Sequence, residues 1–267
     1  MARTFDGTDD NVSFGDLAGL DGLAALTVTF WVNALTLEDW ANFVGKLSST
    51  DGWGIQCGAA PNWGGNDDLF VSARNASANQ WGYTTGGFVA ANTWTHVAYV
   101  FDGAQATDAT KLVLYTQGTA RTLTFQGTAL PTTLGVNTAP VQVGRFGTDV
   151  AANCSIEDVR CYDVALIAQE VGAVMRGQAV RMEHLLLWAN LFGVSSPEPN
   201  IGSLIGNGTV TGAVRGDGPP GRGFPMMTSR RIQRVPAAAG GDPEGSLLGG
   251  KLLRGGLLRA GVLVGSR

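Results

Sequence analysis

The sequence predicts an all-β protein: an antiparallel β-sandwich with one short helix and an extended C-terminal arm. Three observations carry this expectation. Short runs with apolar residues at alternate positions recur along the first two thirds of the chain, as in strands with one buried face. Clusters of Gly, Asn, Asp and Thr separate them, and glycine alone supplies 39 of the 267 residues. One segment, Ala165 to Arg176, has helical spacing, with Leu166, Val171 and Val174 on a face that can dock against a sheet. Many short strands without intervening helices close into a sandwich or barrel rather than a parallel sheet.

In chain order, strands are expected near residues 3–6, 10–14, 26–34, 42–47, 53–57, 68–73, 94–101, 111–117, 121–126, 141–146 and 154–162. The clearest run is Trp94-Thr-His-Val-Ala-Tyr-Val-Phe-Asp-Gly103. Val97, Tyr99 and Phe101 alternate there, and Asp102-Gly103 supplies a tight reversal.

That run resembles the central strand signature W-x-H-[VI]-A-x-V-[FY]-D-G of laminin-G-like, concanavalin A-like jelly rolls. Four other segments resemble the same family in the same order. Phe5-Asp-Gly-Thr-Asp-Asp-Asn-Val12 is similar to its opening strand, and Leu26-Thr-Val-Thr-Phe-Trp-Val32 to its "FTVSFWV" strand. Lys111 to Gly118 is similar to "LRLYVNG". Ser155-Ile-Glu-Asp-Val-Arg-Cys-Tyr162, with Ala165, Leu166 and Glu170 after it, is similar to the closing strand and helix. The resemblance covers roughly residues 5 to 175 and implies a jelly roll over residues 1–177.

Residues 178–215 read as additional strands packed on that sandwich, with His184 to Phe192 an apolar candidate and Gly206 to Ala213 a turn and strand. Residues 216–267 read as a Gly/Pro/Arg/Leu-rich arm. Its last 21 residues repeat with a period of five, pairing Leu247 with Leu248, Leu252 with Leu253 before Arg254, and Leu257 with Leu258 before Arg259. Paired leucines in a flexible tail cannot bury themselves alone, so docking on a neighbouring subunit is expected. The charge is divided as well. Residues 1–177 hold 8 Lys and Arg against 17 Asp and Glu, whereas residues 178–267 hold 10 against 5. A basic tail can attract an acidic body.

No apolar targeting segment precedes the first strand, and the longest apolar stretch, Leu185 to Val194, is too short to cross a bilayer. No membrane insertion is expected. Cys57, Cys154 and Cys161 read as buried thiols rather than a disulfide framework. Arg230, Arg231 and Arg234 lack the interleaved aromatics of a nucleic-acid surface, so no nucleic acid is expected. Arg215-Gly216-Asp217 reads as a coincidental tripeptide in a linker.

Catalysis is not expected. Family members that cleave glycans carry Glu and Asp at alternate strand positions, which would set the carboxylates on one face. Here Glu38-Asp39 and Glu157-Asp158 are adjacent and so face apart, and His96 and His184 read as packing residues. No cofactor is expected apart from a structural calcium, which the resemblance implies near Glu157 and Asp6. Trp31 and Trp94 read as core. Trp40, Trp53, Trp63 and Trp81 lie in or beside Gly/Asn/Asp-rich segments, where an indole can stack on a sugar while Asp67, Asp68 or Asn66 bonds its hydroxyls.

The arm favours a subunit of a regular assembly, and the jelly roll that starts at once without a leader resembles virion proteins of tailed bacteriophages. That resemblance implies a non-enzymatic structural protein at a phage particle surface, a head decoration or tail appendage. It would self-associate and bind a capsid or tail protein. The alternative is a carbohydrate-binding adhesion module recognising cell-surface glycans.

Overall fold

The structure is a computed structural model and describes residues 1–146 and 150–220. The repeat expected to form an assembly arm, from Leu247 through Arg259, lies outside the described residues.

Sixteen strands and two α-helices are described. In order they are β1 (Ala2–Asp6), β2 (Asn11–Ser13), β3 (Ala25–Ala34), β4 (Asn42–Leu47), β5 (Gly52–Cys57), β6 (Leu69–Arg74), β7 (Gln80–Tyr83) and β8 (Trp94–Asp102). Then follow α1 (Asp108–Lys111), β9 (Leu112–Thr116), β10 (Thr119–Arg121), β11 (Thr124–Gly127), β12 (Gln142–Val143) and β13 (Asn153–Tyr162). Helix α2 (Ala168–Met175), β14 (Leu185–Ala189), β15 (Thr209–Thr211) and β16 (Val214–Gly216) complete the chain's described elements.

They form two sheets packed on one core, the antiparallel sandwich that the alternation predicts and the jelly roll that the resemblance implies. The first sheet runs β10-β9-β8-β3-β13-β1-β16, with β14 also on β13. The second runs β11-β7-β6-β5-β4-β12-β2-β15. Leu26, Val28, Phe30 and Val32 of β3 face Ile55, Val71 and Trp53 of the second sheet within a single apolar cluster. Each such side chain, once fully buried, contributes about 1.5–3 kcal/mol. Tyr99 crosses between the sheets and donates to the Ser72 carbonyl at 3.1 Å.

β13 is the hinge of the first sheet. Its first half pairs with β1 and its second half with β14, on the same edge. The change occurs at a bulge where Asp158 adopts φ 56°. Asp158 accepts two bonds from Arg160, both at 2.9 Å, and one from Trp188 Nε1 at 2.8 Å. The Arg160 guanidinium lies 4.4 Å from the Trp188 ring centroid, so β14 is fastened by a buried ion pair that an indole covers.

Three local expectations need correction. The single strand expected near 121–126 is two: β10 ends the first sheet, and after Thr122 and Leu123 the chain enters the second sheet as β11. No Gly or Pro marks that crossing. β7 has no counterpart in the sequence reading, because its alternation (Trp81, Gly82, Tyr83) has glycine on the inner face. A Cβ at Gly82 would lie 3.0 Å from the Phe125 ring, which fills that space. Trp31 and Trp94 are not core residues. They sit half-buried on the outer face of the first sheet, where Trp31 opposes His96 and Trp94 opposes Asn33. The alternate residues Phe30 and Val32 take the core side.

Candidate aromatic-lined binding site

Three of the four candidate tryptophans come together, and the fourth does not. The second sheet's outer face begins with parity. In β6, Leu69, Val71 and Ala73 enter the core, so Phe70, Ser72 and Arg74 face away. Register then places Tyr83 opposite Phe70 and Trp81 opposite Ser72. On the other side, Gln56 opposes Phe70 and Gly54 opposes Ser72.

Two loops bring Trp40 and Trp63 over this face. Trp40 takes φ 65° just before β4, a left-handed turn in which its N–H donates to the Gly58 carbonyl at 3.3 Å. Trp63 is held by paired backbone bonds with Ala59, at 3.0 and 3.3 Å. Its ring centroid lies 5.3 Å from Trp81, 6.3 Å from Trp40 and 6.3 Å from Phe70. Interplanar angles in these three contacts are 77°, 52° and 86°, so the rings form walls rather than a flat platform.

The walls border an open cavity of about 790 Å³. Trp40, Trp63, Phe70, Trp81, Phe146 and Val150 line its apolar part, while Gln56, Arg74, Ser48 and Ser49 line its polar part. Phe146 can lie flat on the sheet because Gly45 and Gly54 sit beneath it. A Cβ on either would approach that ring to 3.0 and 3.1 Å. The cavity thus combines several ring faces with a few polar groups, a pattern suited to a hydroxylated organic ligand.

Trp53 is a correction. It lies on β5 with 0% exposure, on the core side. Its partner across the strands is Lys46, equally buried. Lys46 Nζ reaches Asp21 Oδ1 at 2.8 Å, the Asn137 carbonyl at 2.6 Å and Asp16 at 3.0 Å.

Asp68 is a second correction. Its carboxylate is 4% exposed and already occupied, accepting from Gly65 N at 3.0 Å, Thr84 Oγ1 at 2.9 Å and Gly87 N at 3.2 Å. It fastens the Trp63 loop to the loop after β7 rather than meeting a ligand. Asp67 is half-buried in the same loop, and its carbonyl accepts from Val89 N at 2.8 Å. Asn66 donates to the Leu37 carbonyl at 2.9 Å, which ties that loop to the segment before Trp40. Neither Asp67 nor Asp68 lines the cavity. Sequence reasoning missed Gln56, Phe70, Arg74 and Phe146. Parity against Leu69, Val71 and Ile55 was the available signal for the first three.

The calcium pair does not fit the geometry. β1 pairs antiparallel with β13 so that Asp6 opposes Asn153, while Glu157 lies four positions further along β13. At about 3.3 Å per residue that offset is roughly 13 Å of backbone, whereas ligand oxygens sit about 2.3–2.6 Å from a calcium ion. Glu157 is buried and 3.7 Å from the Met1 amine. Asp6 groups instead with Asp9 and Asp10, their oxygens within 4.8 Å of one another. Burial, foremost, pushes the Asp10 carboxyl above its usual range. Of the histidines, His96 is buried and its ring stands 5.3 Å from Trp31, whereas His184 is a surface residue 2.7 Å from Asp163. All three cysteines are buried free thiols.

Residues 6–172 match the family model of the concanavalin A-like lectin/glucanases superfamily, and the chain belongs to that family. No curated protein matches it. Among solved structures it is similar to a putative carbohydrate binding protein from Bacteroides ovatus, with TM-score 0.63 and 18% identity. That match covers 82% of this chain, which spans 60% of the Bacteroides protein. A heptameric SAP-like pentraxin from Limulus polyphemus aligns with TM-score 0.49 and 15% identity, over 79% of this chain and 95% of that one. Domain 4 of AbnA, an extracellular arabinanase from Geobacillus stearothermophilus solved with arabinotriose, aligns with TM-score 0.47 and 21% identity, over 65% and 75%.

Proposed function

We propose that this chain is a carbohydrate-binding module, and that glycan enters the cavity beside Trp40, Trp63 and Trp81. The observation that carries the reading is the gathering of three indoles and Phe70 around one open cavity whose remaining wall is polar. Sugar rings present C–H faces to indoles and hydroxyls to amides and guanidinium groups, so both parts of the lining have a use. Membership of a lectin and glucanase superfamily, and likeness in fold to a putative carbohydrate binding protein, support the same reading.

Binding without turnover belongs to the proposal. Among the described residues the polar lining is Gln56, Arg74, Ser48 and Ser49, groups that can bond hydroxyls. Attachment to a particle surface would be a separate property of residues 216–267 and rests on their composition alone. The test is a glycan array with the native chain and Trp63→Ala. Binding of defined glycans by the native protein, lost in a variant that stays fully folded at the assay temperature, is expected. An array on which the native protein binds nothing overturns the reading.

A further inference from the structure

Asn42 and Gln56 stand directly opposite each other across β4 and β5. Both turn away from the core, because Ile55 and Cys57 beside Gln56, and Ala41 and Phe43 beside Asn42, enter it. Gln56 lines the cavity and has Phe70 as its partner on the next strand. Asn42 lies behind it, at the rim formed by Trp40 and Val150. Its N–H donates to the Val150 carbonyl at 3.1 Å.

The side chain of Asn42 is 0% exposed, and neither Oδ1 nor Nδ2 has a partner among the described residues. A primary amide buried in this state destabilises the fold, and leucine, of similar size, would not carry that cost. Buried groups left so in a native chain are places to look for function. Two more lie on the same face: Ser72 Oγ and Trp81 Nε1 are buried without a partner among the described residues, and Ser72 opposes Trp81 across β6 and β7.

Resting on the carbohydrate reading above, we propose that Gln56, backed by Asn42, reads adjacent hydroxyls of a neutral sugar ring held against the aromatic wall. An amide presents one acceptor and two donors side by side, and neighbouring hydroxyls can each donate and accept. Gln56 can therefore engage both hydroxyls of a vicinal diol, whereas a carboxylate could only accept. Directly opposed strand residues have Cβ atoms about 4.5–5.5 Å apart. At that distance, once a ligand fixes the Gln56 rotamer, its amide meets Asn42 and gives the buried group its missing partner. Asn42 is thus a positioning residue acting through Gln56.

The experiment uses the full chain and an array of neutral oligosaccharides, followed by the best-bound methyl glycoside and its monodeoxy analogues in calorimetry. The native protein is expected to prefer the parent glycoside over at least one deoxy analogue by about tenfold or more, since a site built to bond a hydroxyl rejects its absence. Gln56→Leu is expected to lose that preference, its affinity for the parent falling to that for the analogue. Asn42→Leu should weaken parent binding while melting no lower than the native protein. A merely structural asparagine would lose stability and affinity together. Gln56→Leu that keeps full affinity and full deoxy discrimination, beside Trp63→Ala that loses binding, overturns this assignment and leaves the carbohydrate reading standing. A native protein that binds no glycan overturns both.

Discussion

Trp53 and Trp63 stand ten residues apart in one Gly-rich stretch, yet the fold gives them opposite tasks. Trp53 lies on β5 beside Lys46, in the core with no exposed surface. Trp63 lies on the loop after β5, half-buried against Trp81 and at the edge of an open cavity. The residue type is the same and the neighbours in sequence are alike. Strand parity makes the difference. Once Ile55 and Cys57 enter the core, Trp53 must follow them, while Gln56 and everything stacked above it are turned outward.

The largest effects should therefore come from the inner face. Trp53→Ala empties a large volume between the sheets and should cost about 3–5 kcal/mol, read as a fall in the denaturant midpoint. A loss under about 1 kcal/mol would mean that Trp53 is not a core residue. Lys46→Ala removes the cation from a buried cluster with Asp21 and Asn137, leaving the Asp21 carboxylate without its counter-charge. Breaking a buried pair from one side costs about 3–5 kcal/mol, and glycan binding should be lost only through unfolding.

Asp68→Ala falls between the two faces. It leaves the Gly65 and Gly87 N–H groups and the Thr84 hydroxyl without their acceptor. The expected loss is about 1–3 kcal/mol, together with faster amide exchange in the loops around Trp63 and Gly87. On the outer face, Trp63→Ala loses ring contacts and should cost about 1–2 kcal/mol of stability, well below Trp53→Ala. It should yet weaken glycan binding by about 2 kcal/mol, as removal of a central tryptophan from an interface does. A Trp63→Ala variant that loses as much stability as Trp53→Ala would erase the distinction between the faces.

The sheets were largely legible because their strands carry one buried face. Val97, Tyr99 and Phe101 alternate without interruption, and so do Leu26, Val28, Phe30 and Val32. The site was legible only in part. The indoles stand out in any reading of the sequence, but their address depends on which neighbour enters the core, and glycine hides that parity. In β7 the inner position is Gly82, which has no apolar side chain, and in β5 the glycines on either side of Trp53 leave only Ile55 and Cys57 to mark the inward side. Asp68 misled for a different reason. A carboxylate in a Gly/Asn/Asp loop is equally suited to a sugar hydroxyl and to the loop's own N–H groups, and only the folded loop decides. Gln56 and Asn42 carry no motif at all. Their meaning comes from register, which is a property of two strands together.

The smallest expected effect isolates parity at a single peptide bond, between Gln56 on the cavity side and Cys57 on the core side. Burial, foremost, pushes the Cys57 thiol up to about 12, because a thiolate loses its solvation there. At pH 8 that leaves about one thiolate in ten thousand, so native Cys57 should be inert to iodoacetamide over hours and react only after denaturation. Gln56→Cys moves a thiol one residue along the strand and across the sheet. Gln56 is 9% exposed but lines the open cavity, so that new thiol should alkylate in the folded protein more slowly than a surface thiol yet measurably faster than Cys57. A glycan bound in the cavity should protect it, and mass spectrometry of the tryptic peptide separates the two sites. Alkylation of native Cys57 at a rate comparable to that of the Gln56→Cys thiol would mean that β5 does not present its faces as described, and the cavity's wall would have to be rebuilt around a different register.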